Sequence, residues 1–142
     1  MKKKTLKGKE RLSMVYVMVV TADPDTRNHL KNIMAVLEGV EIEWIEAADA
    51  GLPLLKDKKF QLVISDETLP HMTGIQFLNQ LVRINPMVNT ALMSALTSEA
   101  FHEATEGLGV LGQLPLKPEA SHINDLYARL KSILGLTTPN RR

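Results

Sequence analysis

The chain has 142 residues, a length that suits one domain built around a single hydrophobic core. It contains no cysteine, which excludes disulfides and thiolate metal sites, and its 44% hydrophobic and 23% charged residues are typical of soluble globular proteins. The net charge is +1, but basic residues concentrate near both termini, so the body of the chain is acidic. No apolar stretch approaches the roughly 20 residues that cross a bilayer, and no secretory signal is recognisable.

In chain order, residues 1–13 are predicted to form a basic, flexible tail, because this short run lacks the interleaved aromatics of a nucleic-acid site. Residues 14–135 are predicted to form the folded domain, and residues 136–142 a second tail. Apolar or β-branched runs predict five strands, the last of them weak: Val15–Val20, Val40–Ile45, Leu62–Ile64, Thr90–Met93 and Val110–Leu116. Between the strands and after the last one, apolar residues recur at helical spacing.

Capping residues mark where two of the helices begin. Asp23 precedes Pro24, a pair typical of an N-cap followed by proline at the first helical position. Thr73 and Gln76 fit the capping box, which predicts that the third helix begins at Gly74. The proline at position 86 predicts that this helix ends by Asn85.

Strands that alternate with helices predict an α/β fold, a doubly wound parallel sheet with helices on both faces. In such sheets ligands bind beyond the carboxyl ends of the strands. Asp66 follows the third predicted strand, Ser94 the fourth and Lys117 the fifth. We therefore expect a carboxylate, a hydroxyl and an ammonium group to converge on one crevice, where a phosphoryl group or a cation can bind.

These segments resemble the response-regulator receiver domain of two-component signalling over about residues 14–135. The resemblance rests on residues 19–20 with 23–27, on the segment from Leu62 to Asp66 with 69–74, and on Lys117–Pro118. It implies a flavodoxin-like fold of five βα units with strand order 2-1-3-4-5. It also implies a cis peptide bond between Lys117 and Pro118.

The resemblance also implies a role for each site residue. Asp66 would accept a phosphoryl group from a histidine kinase or a histidine phosphotransfer protein, and Ser94 and Lys117 would bind that group. Asp66 and the backbone carbonyl of Thr68 would hold Mg²⁺, with Asp23 as a candidate additional ligand. We expect a cytoplasmic, non-enzymatic protein that signals through a downstream protein partner or a homodimer and binds neither nucleic acid nor membrane.

Three departures from the family pattern weaken parts of this expectation. Thr21 and Ala22 stand where receiver domains carry two adjacent acidic residues, so the sequence predicts weak Mg²⁺ binding. Leu114 occupies a position that is usually aromatic. Pro115 follows it and predicts a short or irregular fifth strand.

Two functions remain open on this evidence. The first is a stand-alone receiver of a phosphorelay that is phosphorylated on Asp66. The second is a pseudo-receiver, an interaction scaffold that does not use phosphate. A phosphatase of the haloacid-dehalogenase class is disfavoured, because Arg27 replaces a threonine or valine of the motif that the segment from Asp23 resembles.

Overall fold

The computed structural model describes residues 14–135, and both predicted tails lie outside the described residues. Its seven strands are β1 Val15–Val20, β2 Val40–Ile45, β3 Phe60–Ser65, β4 Thr68–Leu69, β5 Met72–Thr73, β6 Asn89–Met93 and β7 Gly112–Leu114. Its five helices are α1 Pro24–Met34, α2 Ala48–Leu54, α3 Gly74–Ile84, α4 Ser98–Ala104 and α5 Ala120–Leu134. No helix within this part of the chain is long and apolar enough to cross a membrane.

Five of the strands form one parallel sheet in the order β2-β1-β3-β6-β7. This is the predicted order 2-1-3-4-5, because β4 and β5 stand apart as a small antiparallel hairpin that the sequence did not predict. The hairpin turns at His71, whose φ of 71° is the left-handed conformation. The doubly wound, flavodoxin-like fold is thus confirmed.

The core has two halves, one on each face of the sheet, because successive residues of a strand point to opposite faces. Val17 and Val19 of β1 pack on the face covered by α1 and α5, whereas Met18 and Val20 pack on the face covered by α2, α3 and α4. All four side chains are buried. β1 is therefore an interior strand, paired with β2 on one side and β3 on the other, and its carboxyl end opens into the crevice where ligands are expected.

Local capping signals predicted the helix boundaries correctly. Asp23 caps α1, with Pro24 in its first turn. The Thr73 hydroxyl accepts a hydrogen bond from the Gln76 N–H at 3.1 Å, and the Gln76 side chain accepts one from the Thr73 N–H at 2.9 Å. α3 begins at Gly74 and ends at Ile84, as predicted.

The segment after α4 contains one confirmed and one wrong prediction. β7 is short, since Pro115 has no N–H to continue the ladder beyond Leu114. The expected cis bond before Pro118 is wrong, because residues 14–135 contain no cis peptide bond. The trans form is favoured by about 0.5–1 kcal/mol before proline. In this form the Pro118 carbonyl lies 2.6 Å from Nε2 of His29 on α1.

Candidate functional site

Asp66 lies where β3 leaves the sheet, in the crevice between β1 and β3. Its N–H donates to the Val20 carbonyl at 3.0 Å, which extends the ladder between these strands by one residue. The side chain is partly buried at the carboxyl edge of the sheet. The sequence placed this residue correctly, because a buried apolar strand that ends in an aspartate must bring the carboxylate to that edge.

Thr21 binds the carboxylate of Asp66 directly. This threonine follows β1, is 1% exposed, and donates its hydroxyl hydrogen to Oδ2 of Asp66 at 2.8 Å. The Thr21 hydroxyl oxygen in turn accepts a hydrogen bond from the Asp23 N–H at 3.2 Å. The other carboxylate oxygen, Oδ1, accepts from the Glu67 N–H at 3.0 Å. Both oxygens of Asp66 therefore have neutral donors as partners.

The environment of Asp66 favours its protonated form. Burial raises its pKa above the ordinary value of 3.8, and the negative charges of Asp23 and Glu67 act in the same direction. The hydrogen bonds from Thr21 and from the Glu67 N–H oppose this shift. The net effect is a raised pKa, so the ionised carboxylate costs some folding free energy.

This cost predicts how the substitution Asp66→Asn changes stability with pH. Because the folded-state pKa lies above the unfolded value, the folded protein binds more protons between the two values, and stability falls as pH rises through this window. Asparagine carries no charge and avoids the loss. We expect Asp66→Asn to stabilise the protein more at about pH 7 than at about pH 3.5, as measured by urea unfolding. An equal or larger gain at the lower pH would contradict this explanation.

Ser94 and Lys117 follow the next two strands of the sheet. Ser94 is 4% exposed, and its hydroxyl oxygen accepts a hydrogen bond from the Leu96 N–H at 3.1 Å. β3 pairs with β6, so Ser94 and Asp66 leave adjacent strands on the same edge. Lys117 is exposed, and residues 14–135 contain no ion pair between it and Asp66. The structure therefore places Ser94 and Asp66 at the carboxyl ends of neighbouring strands, whereas the ammonium group of Lys117 is not bound to the carboxylate.

Asp23 is engaged at the start of α1. Its Oδ2 accepts a hydrogen bond from the Thr26 hydroxyl at 2.8 Å, and its Oδ1 accepts from the Asp25 N–H at 3.3 Å. The bond from Thr26 and, more weakly, the charge of Lys117 lower the pKa of Asp23. The predicted N-cap is thus confirmed, and both oxygens that could reach a cation already bind the helix.

The residues of the crevice do not fit the usual coordination of Mg²⁺. Within residues 14–135, no group of three or more His, Cys, Asp and Glu side chains could hold a metal ion. Mg²⁺ in proteins is usually bound by one or two carboxylates and several waters in octahedral geometry. Here two carboxylates near the crevice do not cap a helix, those of Asp66 and Glu67. The Thr21 hydroxyl binds one oxygen of Asp66, and Glu67 already accepts a hydrogen bond from the Ala95 N–H. Thr68, whose backbone carbonyl was predicted to bind Mg²⁺, lies on β4.

Two residues that the sequence did not identify as part of the site also shape it. The carboxylate of Glu67 crosses to the loop after β6, where its Oε1 accepts a hydrogen bond from the Ala95 N–H at 3.1 Å. Gly74 lies so close to the Asp66 backbone that an added Cβ would meet the Asp66 carbonyl oxygen at 2.2 Å. Gly74 can be read from the sequence, but its contact with the Asp66 backbone cannot. That contact depends on the β4–β5 hairpin, which folds the chain back between the two residues.

The fold and the position of Asp66 define a flavodoxin-like α/β protein with a single acidic site at the carboxyl edge of its sheet. The family model described as the response regulator receiver domain matches residues 17–131, and the chain belongs to this family. Receiver domains are signalling domains, and they generally bind Mg²⁺ at an acidic pocket.

Two relatives agree with this assignment. The chain is 34% identical over 115 residues to the response regulator protein FleR of Pseudomonas aeruginosa, covering 80% of this chain and 24% of FleR. It is 26% identical over 121 residues to the probable chemotaxis protein CheY of Rhizobium etli, covering 85% of this chain and 93% of that relative. It thus spans about a quarter of one of these relatives and nearly all of the other.

Among solved structures, a CheY-like response regulator receiver domain protein from Methanospirillum hungatei JF-1 superimposes on this chain with a TM-score of 0.74 at 19% identity. The match covers 88% of this chain and 100% of that one. The chemotaxis response regulator CheY4 of Vibrio cholerae gives a TM-score of 0.71 at 21% identity, covering 82% and 98% of the two chains. At these identities the likeness shows the shared fold.

Proposed function

We propose that this chain is a cytoplasmic receiver domain that accepts a phosphoryl group on Asp66 from a histidine kinase or a histidine phosphotransfer protein. An oxygen of the Asp66 carboxylate attacks the phosphorus of the phosphohistidine, and the new O–P bond forms as the N–P bond breaks and the histidine leaves. The single observation that carries the proposal is the partly buried Asp66 directly after β3, the strand paired with β6, which Ser94 follows.

The surrounding groups favour binding of a phosphoryl group more than binding of a metal. The Ser94 hydroxyl is a hydrogen-bond donor for a phosphoryl oxygen, and Lys117, on a long flexible side chain, is a cation that can move toward added negative charge. The Thr21 hydroxyl and the Glu67 N–H already orient the carboxylate. We propose that Mg²⁺ binds weakly, through Asp66 and the Thr68 carbonyl with Asp23 at most as a distant partner, and gives little assistance.

Phosphorylation of Asp66 is tested by treating the protein with acetyl phosphate and measuring the intact mass. We expect the wild-type chain to gain the mass of one phosphoryl group and Asp66→Asn to gain none, because the amide is not a nucleophile at this position. Asp49→Asn is the matched control, since Asp49 is an exposed aspartate in α2. Equal labelling of Asp66→Asn and the wild type would refute the proposal.

A second candidate function is an interaction scaffold that does not use phosphate. The hydrogen bond from Thr21 to Asp66 favours it, because this contact satisfies the carboxylate without any ligand. Leu114, buried where related domains carry an aromatic residue that changes position, points the same way. The scaffold would bind its protein partner, or a second copy of itself, equally well with Asp66→Asn. Binding that requires Asp66 would exclude it.

A further inference from the structure

Glu67, the residue after Asp66, is held by three hydrogen bonds that involve its side chain and its backbone. Its Oε1 accepts from the Ala95 N–H at 3.1 Å, and its own N–H donates to Oδ1 of Asp66 at 3.0 Å. Its carbonyl accepts from the Gly74 N–H at 2.9 Å. The carboxylate of Glu67 therefore joins the acceptor loop to the loop that follows β6.

The Ala95 N–H lies in the neighbourhood that an anion on Asp66 would enter. β3 and β6 are paired with Ser65 opposite Leu92, so the residues that follow each strand run side by side. Ala95 follows Ser94 directly, and a backbone N–H beside a hydroxyl is a pair of donors suited to anion oxygens. In this structure the Ala95 N–H donates to a carboxylate oxygen of Glu67.

A carboxylate and a phosphoryl group cannot both accept from the Ala95 N–H without repelling each other. Both present anionic oxygens, and a phosphoryl group at neutral pH carries close to two negative charges. Like charges within a few ångströms of each other repel more strongly in a partly buried site than in bulk water, because the effective dielectric constant is lower there. Glu67 must therefore move away from the Ala95 N–H when Asp66 becomes modified.

We propose that Glu67 is an internal competitor for the Ala95 N–H and sets how readily the site accepts a phosphoryl group on Asp66. The inference rests on the proposed function, because it assumes that Asp66 takes this group. Displacement of Glu67 also breaks the contact between the two loops. The loop from Ala95 to the α4 cap at Thr97 then loses one of its attachments, which changes the surface presented to a partner.

Three variants separate the charge of Glu67 from its hydrogen bond. Glu67→Gln keeps an oxygen that can accept from the Ala95 N–H but removes the charge, and Glu67→Ala removes both. Glu43→Gln is the matched control, because Glu43 is an exposed glutamate on the outermost strand β2, which β1 and β3 separate from β6.

The first measurement needs no anion and follows hydrogen exchange of the Ala95 amide by NMR. We expect exchange about tenfold faster in Glu67→Ala than in the wild type, and near-wild-type exchange in Glu67→Gln and Glu43→Gln, because only the alanine variant loses the acceptor. Equal exchange in Glu67→Ala and the wild type would overturn the inference, since the N–H would then not be occupied by Glu67.

The second measurement is a titration with beryllofluoride, at a fixed Mg²⁺ concentration, followed through the same amide resonance. We expect apparent affinity to rise about tenfold in Glu67→Ala and by a smaller factor in Glu67→Gln, with Glu43→Gln unchanged. Equal, measurable affinities in all four proteins would overturn the competitor role and leave phosphorylation of Asp66 standing. Absence of binding in all four would instead refute the proposed function, and the competitor role with it.

Discussion

Replacing Gly74 with alanine is expected to lower the free energy of unfolding by about 3 kcal/mol, a large effect for the addition of one methyl group. The new Cβ would lie 2.2 Å from the Asp66 carbonyl oxygen and 2.6 Å from Cδ1 of Leu92. The leucine can rotate, but the carbonyl belongs to the backbone and cannot. Relief of the clash requires a shift of the acceptor loop or of the first turn of α3, which begins at this glycine.

Urea unfolding of Gly74→Ala measures this cost, with Gly107→Ala as the control. Gly107 has a φ of 84°, and an added Cβ there meets no atom within 4 Å. Alanine at that position pays only for the left-handed backbone, roughly 1–2 kcal/mol. Gly107→Ala therefore gives the cost of a glycine substitution that strains the backbone but causes no steric clash, and Gly74→Ala is expected to cost more. If Gly74→Ala costs no more than Gly107→Ala, the close packing of α3 against the acceptor loop is not rigid.

Replacing Thr21 with aspartate is expected to make the stability of the protein depend on Mg²⁺. The Thr21 hydroxyl lies 2.8 Å from Oδ2 of Asp66, and the position is 1% exposed. A second carboxylate there would face the first in a partly buried crevice, which we expect to cost roughly 2–4 kcal/mol without a cation. The same pair of carboxylates is the ligand set that Mg²⁺ prefers. The variant would then gain about 2.7 kcal/mol at a concentration one hundred times its dissociation constant.

The comparison is made by urea unfolding in EDTA and in Mg²⁺. Thr21→Val is the control, because valine has nearly the same shape as threonine without the hydroxyl. It should lose about 1 kcal/mol in both buffers, the usual value of one hydrogen bond. A Thr21→Asp variant that is equally stable in EDTA and in Mg²⁺ would show that position 21 does not face a potential metal site.

The sequence predicted those features that depend on residues near one another in the chain. The five strands of the sheet were recognisable from their β-branched runs, and the start of α3 from Thr73 and Gln76, since both signals act within four residues. The β4–β5 hairpin was missed because two strands of two residues show no periodicity. Strand boundaries differed from the prediction by one or two residues, as at β3, which was predicted over Leu62–Ile64 and spans Phe60–Ser65.

The contacts within the site were less accessible to sequence reasoning. Its aspartate was found because a strand end fixes where the backbone emerges. The hydrogen bond from Thr21 to Asp66 joins residues 45 positions apart, and that from Ala95 to Glu67 joins residues 28 positions apart. Such contacts depend on strand order, on register and on side-chain rotamers together. The sequence showed that Thr21 stands where related domains carry an acidic residue, but it could not show that the Thr21 hydroxyl binds Asp66.

The short β7 has a consequence for how the sheet ends. Exposed edge strands invite pairing between molecules, and proteins limit this with brief strands, prolines and charged side chains. One edge here is β7, three residues long and followed by Pro115. The other is β2, which presents the exposed Glu41 and Glu43. The short length of β7 and the charged side chains of β2 therefore disfavour intermolecular strand pairing at both edges of the sheet.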